Sequence, residues 1–341
     1  MATNIWFWVG FIAFVLAMLA LDLGVFHRKA HVVKPREAGI WVAVWVSLAL
    51  LFAAGIWKFD GREDALLFLT GYVIEQSLSV DNLFVMVVIF NYFRVPATAL
   101  HRVLFYGILG ALVMRGVFIG IGAFLLQRFE WILYVFGAML LFTGVRMMFK
   151  QDEEFDGENN TIVKLVRKRV PMTMQYDGAR FFTDVNARRV ATPLFLVLVL
   201  IEFTDLIFAV DSIPAIFGIT KDPFIVFTSN IFAILGLRSM FFLLAAVVER
   251  FYLLKYGLAI ILTFIGVKML GEAWFHVPIL VSLAIVLGLL AASILGSMIW
   301  PRPEEAPEPF RPEGTRTGSI FGTLWSRRRS KQQRSPRSPR P

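Results

Sequence analysis

Long apolar blocks alternate with short polar segments over most of the chain. Most blocks approach or exceed the roughly 20 apolar residues that an α-helix needs to cross a bilayer. The pattern therefore predicts an all-α polytopic membrane protein. Nine transmembrane helices are expected, at residues 5–26, 39–57, 65–92, 103–126, 130–149, 192–217, 223–248, 251–270 and 277–300.

A polar loop at 150–191 separates two groups of helices, and a tail rich in Pro, Arg and Ser follows residue 300. The tail cannot bury a core, so disorder is predicted for it. It serves either as a solvated orientation signal or as a contact for anionic lipid heads. The expected organisation is two N-terminal helices within 1–64, a three-helix repeat at 65–149, the cytoplasmic loop at 150–191, a second three-helix repeat at 192–272, a last helix within 273–300 and the basic tail at 301–341.

Composition agrees with a membrane location. Hydrophobic residues make up 57% of the chain and charged residues only 17%, whereas about 45–50% apolar residues are typical of soluble domains. Because the chain has no cysteine, disulfides, thiol catalysis, iron–sulfur clusters and thiolate metal sites are excluded. No motif for an enzyme, a permanently bound cofactor or nucleic acid accompanies the apolar blocks, so a non-enzymatic membrane function is expected.

The distribution of Lys and Arg predicts the orientation. Of the 34 Lys and Arg residues, 27 lie in segments that follow the first, third, fifth, seventh and ninth predicted helices, and five lie in the alternate segments. By the positive-inside rule, the N-terminus is then outside the cytoplasm and the C-terminus is cytoplasmic.

Two acidic motifs resemble each other. Glu75 is followed six residues later by Asp81 and then by Asn82, whereas Asp205 is followed at the same spacing by Asp211 and then by Ser212. The first motif lies in the third predicted helix and the second in the sixth.

Further matches follow in the same order. Arg115 in the fourth predicted helix corresponds to Arg238 in the seventh, and Gly144 in the fifth corresponds to Gly266 in the eighth. A unit of three helices repeated in tandem must enter the membrane in the opposite sense the second time. The sequence therefore predicts a 3+3 inverted-topology repeat, an architecture of transporters whose substrate site lies near the midplane.

Charges within the predicted helices point to ion chemistry. Each would cost about 2.5–3.5 kcal/mol at a helix centre if unrelieved, and two arginines cannot neutralise five carboxylates. Buried ion pairs that join helices are the structural alternative. Helices interrupted in mid-membrane, with Pro214 and Gly218 as the break in the sixth, would bring the acids together. The candidate residues are Glu75, Asp81, Asn82, Glu202, Asp205, Asp211 and Ser212 as metal ligands, and Arg115 and Arg238 as counter-ions.

The ligand types favour a hard cation. Carboxylate, amide and hydroxyl oxygens suit Mg²⁺, Ca²⁺ and Mn²⁺, whereas zinc and copper prefer His or Cys. A monovalent ion or a proton stays open on these residues alone. Asp22, near the inner end of the first helix, lies either on the ion path or in contact with cytoplasmic water.

The two acidic motifs, EQSLSVDNLFV from Glu75 and EFTDLIFAVDSIPA from Glu202, resemble those of the TerC family of integral membrane proteins, especially its Alx-type members. The resemblance covers about residues 1–300. It implies a bacterial inner-membrane protein with nine helices, associated with tellurite resistance or manganese export. It also implies that the family's intramembrane acids correspond to Glu75, Asp81, Glu202, Asp205 and Asp211.

The leading hypothesis is therefore export of Mn²⁺ through a midplane carboxylate site, with proton exchange through the same carboxylates as an open addition. A membrane scaffold of a tellurite or stress-response complex, without transport, is the alternative. An intramembrane aspartyl protease built on Asp81 and Asp211 is disfavoured, because the chain has no GxGD sequence. The redox role described for some family members has no cysteine to support it here.

Overall fold

The computed structural model describes residues 5–26, 35–149, 156–157, 159–185, 188–245 and 251–300. The predicted tail at 301–341 and the side chain of Asp22 lie outside the described residues, although the backbone of Asp22 belongs to the first helix. The elements are α1 (Ile5–Phe26), α2 (Pro35–Phe59), α3 (Arg62–Phe93), α4 (Ala97–Arg128), α5 (Ile132–Phe149), α6 (Thr161–Arg169), β1 (Phe182–Val185), β2 (Arg188–Ala191), α7 (Pro193–Phe217), α8 (Pro223–Leu244), α9 (Leu254–Leu270) and α10 (Ile279–Ile299).

Helices occur at all nine predicted positions of the described chain. Seven of them, α2 to α5, α7, α8 and α10, are long and apolar enough to cross a membrane. Among the described residues, 5–20 of α1 form a shorter apolar helix, and α9 has only 17 residues. The chain is therefore mostly helical and polytopic. The predicted start of the fourth helix is six residues late, because α4 already begins at Ala97.

Polar residues and prolines set several helix ends. Asp222 precedes α8, and its Oδ1 accepts hydrogen bonds from the backbone N–H groups of Phe224 (2.7 Å) and Ile225 (3.3 Å). Pro193 and Pro223 occupy the first positions of α7 and α8, where the missing N–H costs nothing. These signals explain why α7 and α8 begin within one residue of their predicted starts.

The predicted loop at 150–191 has secondary structure that the sequence analysis did not predict. The segment contains α6 and an antiparallel hairpin in which Phe182 pairs with Ala191 and Val185 with Arg188. Asn160 caps α6 by accepting hydrogen bonds from two backbone N–H groups, and Val163 on that helix is buried. The many charges of the segment concealed this short amphipathic helix and the two four-residue strands.

The membrane helices pack around α8. Of the apolar stretch of α8, 83% of the residues are buried inside the protein, compared with 17% for α10. Four extended contacts form the centre: α3 with α8, α4 with α7, α3 with α7, and α4 with α8. The helices α1 and α2 pack on one side of α8 through a set of aromatic rings that includes Phe11, Phe52 and Phe232.

The pair α5 and α9 forms the closest helix contact, built on glycine. A Cβ added at Gly266 would lie 2.6 Å from the backbone nitrogen of Leu141 and 2.8 Å from the carbonyl oxygen of Gly137. A Cβ at Gly144 would lie 2.7 Å from the carbonyl oxygen of Ala259. Small residues allow this backbone approach between membrane helices.

Candidate cation site

Two acidic side chains face each other across the central helices. Glu75 lies on α3 and Asp205 on α7, and these residues are 0% and 3% exposed. They are the first acids of the two repeated motifs. Both residues are shielded from solvent, so each carboxylate needs a partner inside the protein.

Arg115 on α4 binds both acids. Its Nη1 contacts Oε1 of Glu75, while its Nε and Nη2 donate to the two carboxylate oxygens of Asp205 at 3.1 and 2.8 Å. The contact with Asp205 is thus bidentate, the strong form of an arginine–carboxylate pair. One guanidinium cancels the charge of only one carboxylate, so the three side chains carry a formal charge of −1 when both acids are ionised.

Two buried amides complete the group. Nδ2 of Asn82 donates to Oδ1 of Asp205 at 2.8 Å, and Oδ1 of Asn230 on α8 lies 3.4 Å from Nη1 of Arg115. We call Glu75, Asn82, Arg115, Asp205 and Asn230 the carboxylate–arginine cluster. Four helices contribute to it: α3, α4, α7 and α8.

Some buried oxygens of the cluster accept no hydrogen bond from the described residues. They are Oε2 of Glu75 and Oδ1 of Asn82, and the hydroxyl oxygens of Ser79 and Ser212 elsewhere on α3 and α7 share this property. Buried acceptors without a partner are uncommon in native proteins. Oxygens of this kind can bind a hard cation.

Glu202 lies one turn before Asp205 on α7 and is half-buried. Its carboxylate rests against Gly110 of α4, where a Cβ would overlap it. Its Oε2 accepts no hydrogen bond from the described part of the chain. Glycine at position 110 therefore makes room for a third acid next to the cluster.

The remaining acids lie apart from these. Asp211 is half-buried and accepts a hydrogen bond from Oγ1 of Thr143 on α5 at 3.0 Å. Asp81 is half-buried on α3. In the described chain, no three acidic or histidine side chains come close enough to hold one ion.

The expectation of interrupted helices is wrong, and this explains the separation. Both α3 and α7 are continuous, and Pro214 lies only three residues before the end of α7. Residues six apart on a continuous helix are rotated by about 120°, so Asp81 and Asp211 cannot share the faces of Glu75 and Asp205. The five acids therefore do not form a single five-carboxylate centre.

Arg238 is 5% exposed on α8, and Ser212 is 1% exposed on α7. Sequence reasoning missed Asn230, Thr143 and Gly110. Thr143 on α5 and Asn230, which follows Thr228 and Ser229 on α8, are uncharged and fall outside the repeated motifs. The packing role of Gly110 becomes visible only once α4 lies against α7.

Known proteins resemble this chain along most of its length. Residues 60–305 match the family described as integral membrane protein TerC. An uncharacterised membrane protein of Myxococcus xanthus is 57% identical over 295 residues, which cover 86% of this chain and 92% of that protein.

Alx of Escherichia coli strain K12, named a candidate membrane-bound redox modulator, is 52% identical over 84% of this chain and 92% of its own length. A membrane protein of Rickettsia bellii is 41% identical over 86% of this chain and 97% of its own. No solved structure matches the chain. The extent and identity of these matches show that the chain belongs to the TerC family of integral membrane proteins.

Proposed function

We propose that this protein exports a hard divalent cation, Mn²⁺ in the first place, across the bacterial inner membrane. The observation that carries the proposal is the carboxylate–arginine cluster: two fully buried carboxylates share one guanidinium, and buried oxygens next to them lack hydrogen bonds. A group that joined helices for stability alone would not need a surplus carboxylate. Intramembrane charges of this kind mark ion and proton pathways.

The choice of cation rests on ligand chemistry and on the family. Glu75, Asp205 and Asn82 offer carboxylate and amide oxygens, which Mn²⁺, Mg²⁺ and Ca²⁺ accept. Within the TerC family, the resemblance to members associated with manganese export favours Mn²⁺. The cation is cargo and is not bound permanently.

The helix packing supports an inverted repeat. Glu75 and Asp205 hold equivalent places in the two motifs and meet at one arginine. The contact of α3 with α8 corresponds under the repeat to that of α7 with α4, and α5 meets its own counterpart α9. Such reciprocal pairing is expected of two units related by a two-fold axis in the membrane plane. Nine spanning helices, with α1 and α9 among them, then place the N-terminus in the periplasm.

Topology can be tested with reporters. A reporter fused after Asp152 should be cytoplasmic and one fused after Lys221 periplasmic, because an odd number of spans separates them. A reporter after Arg302, following α10, should again be cytoplasmic. If the first two reporters lie on the same side, the inverted repeat and the proposed orientation are both wrong.

Transport is tested by uptake of radioactive Mn²⁺ into inside-out membrane vesicles, with Mg²⁺ and Ca²⁺ as competitors. Glu75→Gln should abolish uptake, since it removes one ligand charge with almost no change in volume. Asp184→Asn is the matched control, because Asp184 is exposed on β1. Equal uptake by vesicles with and without the parent protein would overturn the proposal.

The scaffold hypothesis relies on α6 and the hairpin, which expose Leu165, Phe182 and Val185. It predicts that Glu75→Gln keeps full activity in cells and that loss of the α6–hairpin segment does not. The name of the Alx relatives refers to redox modulation. For this chain a thiol route is closed, because it contains no cysteine.

A further inference from the structure

Arg115 lies between the two carboxylates that are the candidate ligands of a cation. Its guanidinium contacts Glu75 and makes the bidentate pair with Asp205. It is 2% exposed, so water contributes little to stabilising its charge. The pair of carboxylates thus already holds a cation that is covalently attached to α4.

Resting on the proposed cation transport, we infer that Arg115 sets a charge threshold at the Glu75–Asp205 site, so that divalent cations bind there and monovalent cations do not. To bind between the carboxylates, an ion must displace the guanidinium. A monovalent ion brings the same single charge as Arg115 and replaces a tethered, bidentate partner. A divalent ion matches the full charge of both carboxylates.

Tethering strengthens this discrimination. A group attached to the site competes at a high effective concentration, whereas a free ion must first give up its hydration shell. Doubling the charge doubles the Coulomb attraction to each carboxylate, and in a buried site this term is weakly screened. Oε2 of Glu75 and Oδ1 of Asn82 remain available to a divalent ion as further ligands.

The displaced guanidinium needs a second acceptor, and Glu202 provides it. Arginine side chains on a helix point back toward its N-terminus, and Gly110, which the Glu202 carboxylate contacts, lies on that side of Arg115. Oε2 of Glu202 accepts no hydrogen bond from the described residues. Under the inferred charge threshold, Arg115 pairs with Glu75 and Asp205 without cargo, as in the structure, and with Glu202 when cargo is bound.

The test measures Mn²⁺ binding to purified full-length protein in NaCl, KCl or N-methylglucamine chloride at equal ionic strength. For the parent chain the Mn²⁺ affinity should be the same in all three salts. In N-methylglucamine chloride, Arg115→Gln should bind Mn²⁺ more tightly than the parent chain does. In NaCl or KCl, the Mn²⁺ affinity of Arg115→Gln should be about tenfold or more lower than its own affinity in N-methylglucamine chloride, because small monovalent ions now compete. Arg128→Gln, an exposed arginine on the same helix, is the control.

Arg115→Lys covers the case in which Arg115→Gln does not fold. It keeps the charge but loses the planar fork, so it should show a smaller monovalent sensitivity of the same sign. If NaCl and KCl do not lower the Mn²⁺ affinity of any folded variant at position 115, the charge threshold is overturned. Mn²⁺ transport by the parent chain would still stand. Absence of Mn²⁺ binding and uptake in the parent chain refutes the proposed function itself.

A double-mutant cycle tests Glu202. If it receives Arg115, Glu202→Gln weakens Mn²⁺ binding in the parent chain and has little effect in Arg115→Gln, where no guanidinium needs an acceptor. If Glu202 is a direct ligand of the cation, the loss is equal in both backgrounds, and the second acceptor is refuted.

Discussion

The carboxylate–arginine cluster and the contact between α5 and α9 lie in the same helix bundle and are built in opposite ways. The cluster brings two acids, an arginine and two amides into a buried space, and some of its oxygens lack hydrogen bonds. The α5–α9 contact brings backbones together through Gly137, Gly144 and Gly266. One region is unfavourable for stability in a membrane, whereas the other is the usual means of joining membrane helices.

This contrast distinguishes a candidate functional region from a region that only holds helices together. Close packing of small residues explains why α5 and α9 stay together and requires no ligand. A surplus carboxylate at a buried site is costly, so its presence argues for a use other than stability. The two regions should therefore respond differently to substitution.

The largest effect is expected for Asp205→Asn. Binding of Mn²⁺ should weaken by at least about tenfold, because the ligand charge falls by one. The melting temperature should change by no more than about 4 °C. The substitution weakens the hydrogen bonds between Arg115 and position 205, but it also removes the surplus negative charge and leaves Glu75 and Arg115 as a neutral pair. Calorimetric Mn²⁺ titration and thermal unfolding in detergent, with Asp184→Asn as control, measure both effects. Unchanged Mn²⁺ affinity would remove Asp205 from the site.

The second prediction is a substitution that lowers stability and leaves Mn²⁺ affinity unchanged. Gly266→Ala places a methyl group against backbone atoms of α5 that cannot move aside, so it should destabilise the protein by about 1–3 kcal/mol. The folded fraction should still bind Mn²⁺ with the parent affinity. Gly120→Ala on α4 is the control, because a Cβ there meets nothing within 4 Å. If both alanine variants melt alike, the α5–α9 contact is looser than the structure indicates.

The two regions also differ in how far the sequence predicts them. The apolar blocks gave the helices, because about 20 consecutive apolar residues leave few alternatives in a membrane. The repeated motifs singled out Glu75, Arg115 and Asp205, which the structure brings together. Candidate residues could be recognised since a charge in an apolar block is conspicuous.

Partners across helices could not be predicted. The contacts of Asn230 with Arg115 and of Thr143 with Asp211 depend on helix rotation and spacing, which one sequence does not encode locally. The expected meeting of all five acids failed for the same reason. It required breaks in α3 and α7, yet Pro214 lies too near the end of α7 to interrupt it.

The third prediction concerns pH and sharpens the contrast between the two regions. Protons and Mn²⁺ compete for the same carboxylate oxygens, so Mn²⁺ affinity should rise with pH, by up to about tenfold per pH unit for each proton released. Titrations from about pH 5.5 to 8.5 measure this slope, and Glu75→Gln should reduce it. The destabilisation by Gly266→Ala should stay constant over that range, because the backbone atoms it meets do not titrate. A flat Mn²⁺ profile would remove proton exchange from the mechanism.

The smallest effect is expected outside the membrane helices, at Tyr176. Its hydroxyl donates a hydrogen bond of 2.8 Å to the carbonyl oxygen of Phe93 at the end of α3, so Tyr176→Phe should cost about 0.5–1.5 kcal/mol of stability. Burial raises the pKa of Tyr176 above its ordinary value, so the hydroxyl keeps its proton and the loss should be equal at acidic and mildly alkaline pH.

Thermal unfolding at two pH values measures the loss, and Tyr134→Phe, 43% exposed on α5, is the control. Mn²⁺ affinity should not change, because Tyr176 ties the α6–hairpin segment to α3 and lies far along that helix from Glu75. A fall in Mn²⁺ affinity as large as that of Asp205→Asn would mean that the α6–hairpin segment takes part in transport and belongs to the functional region.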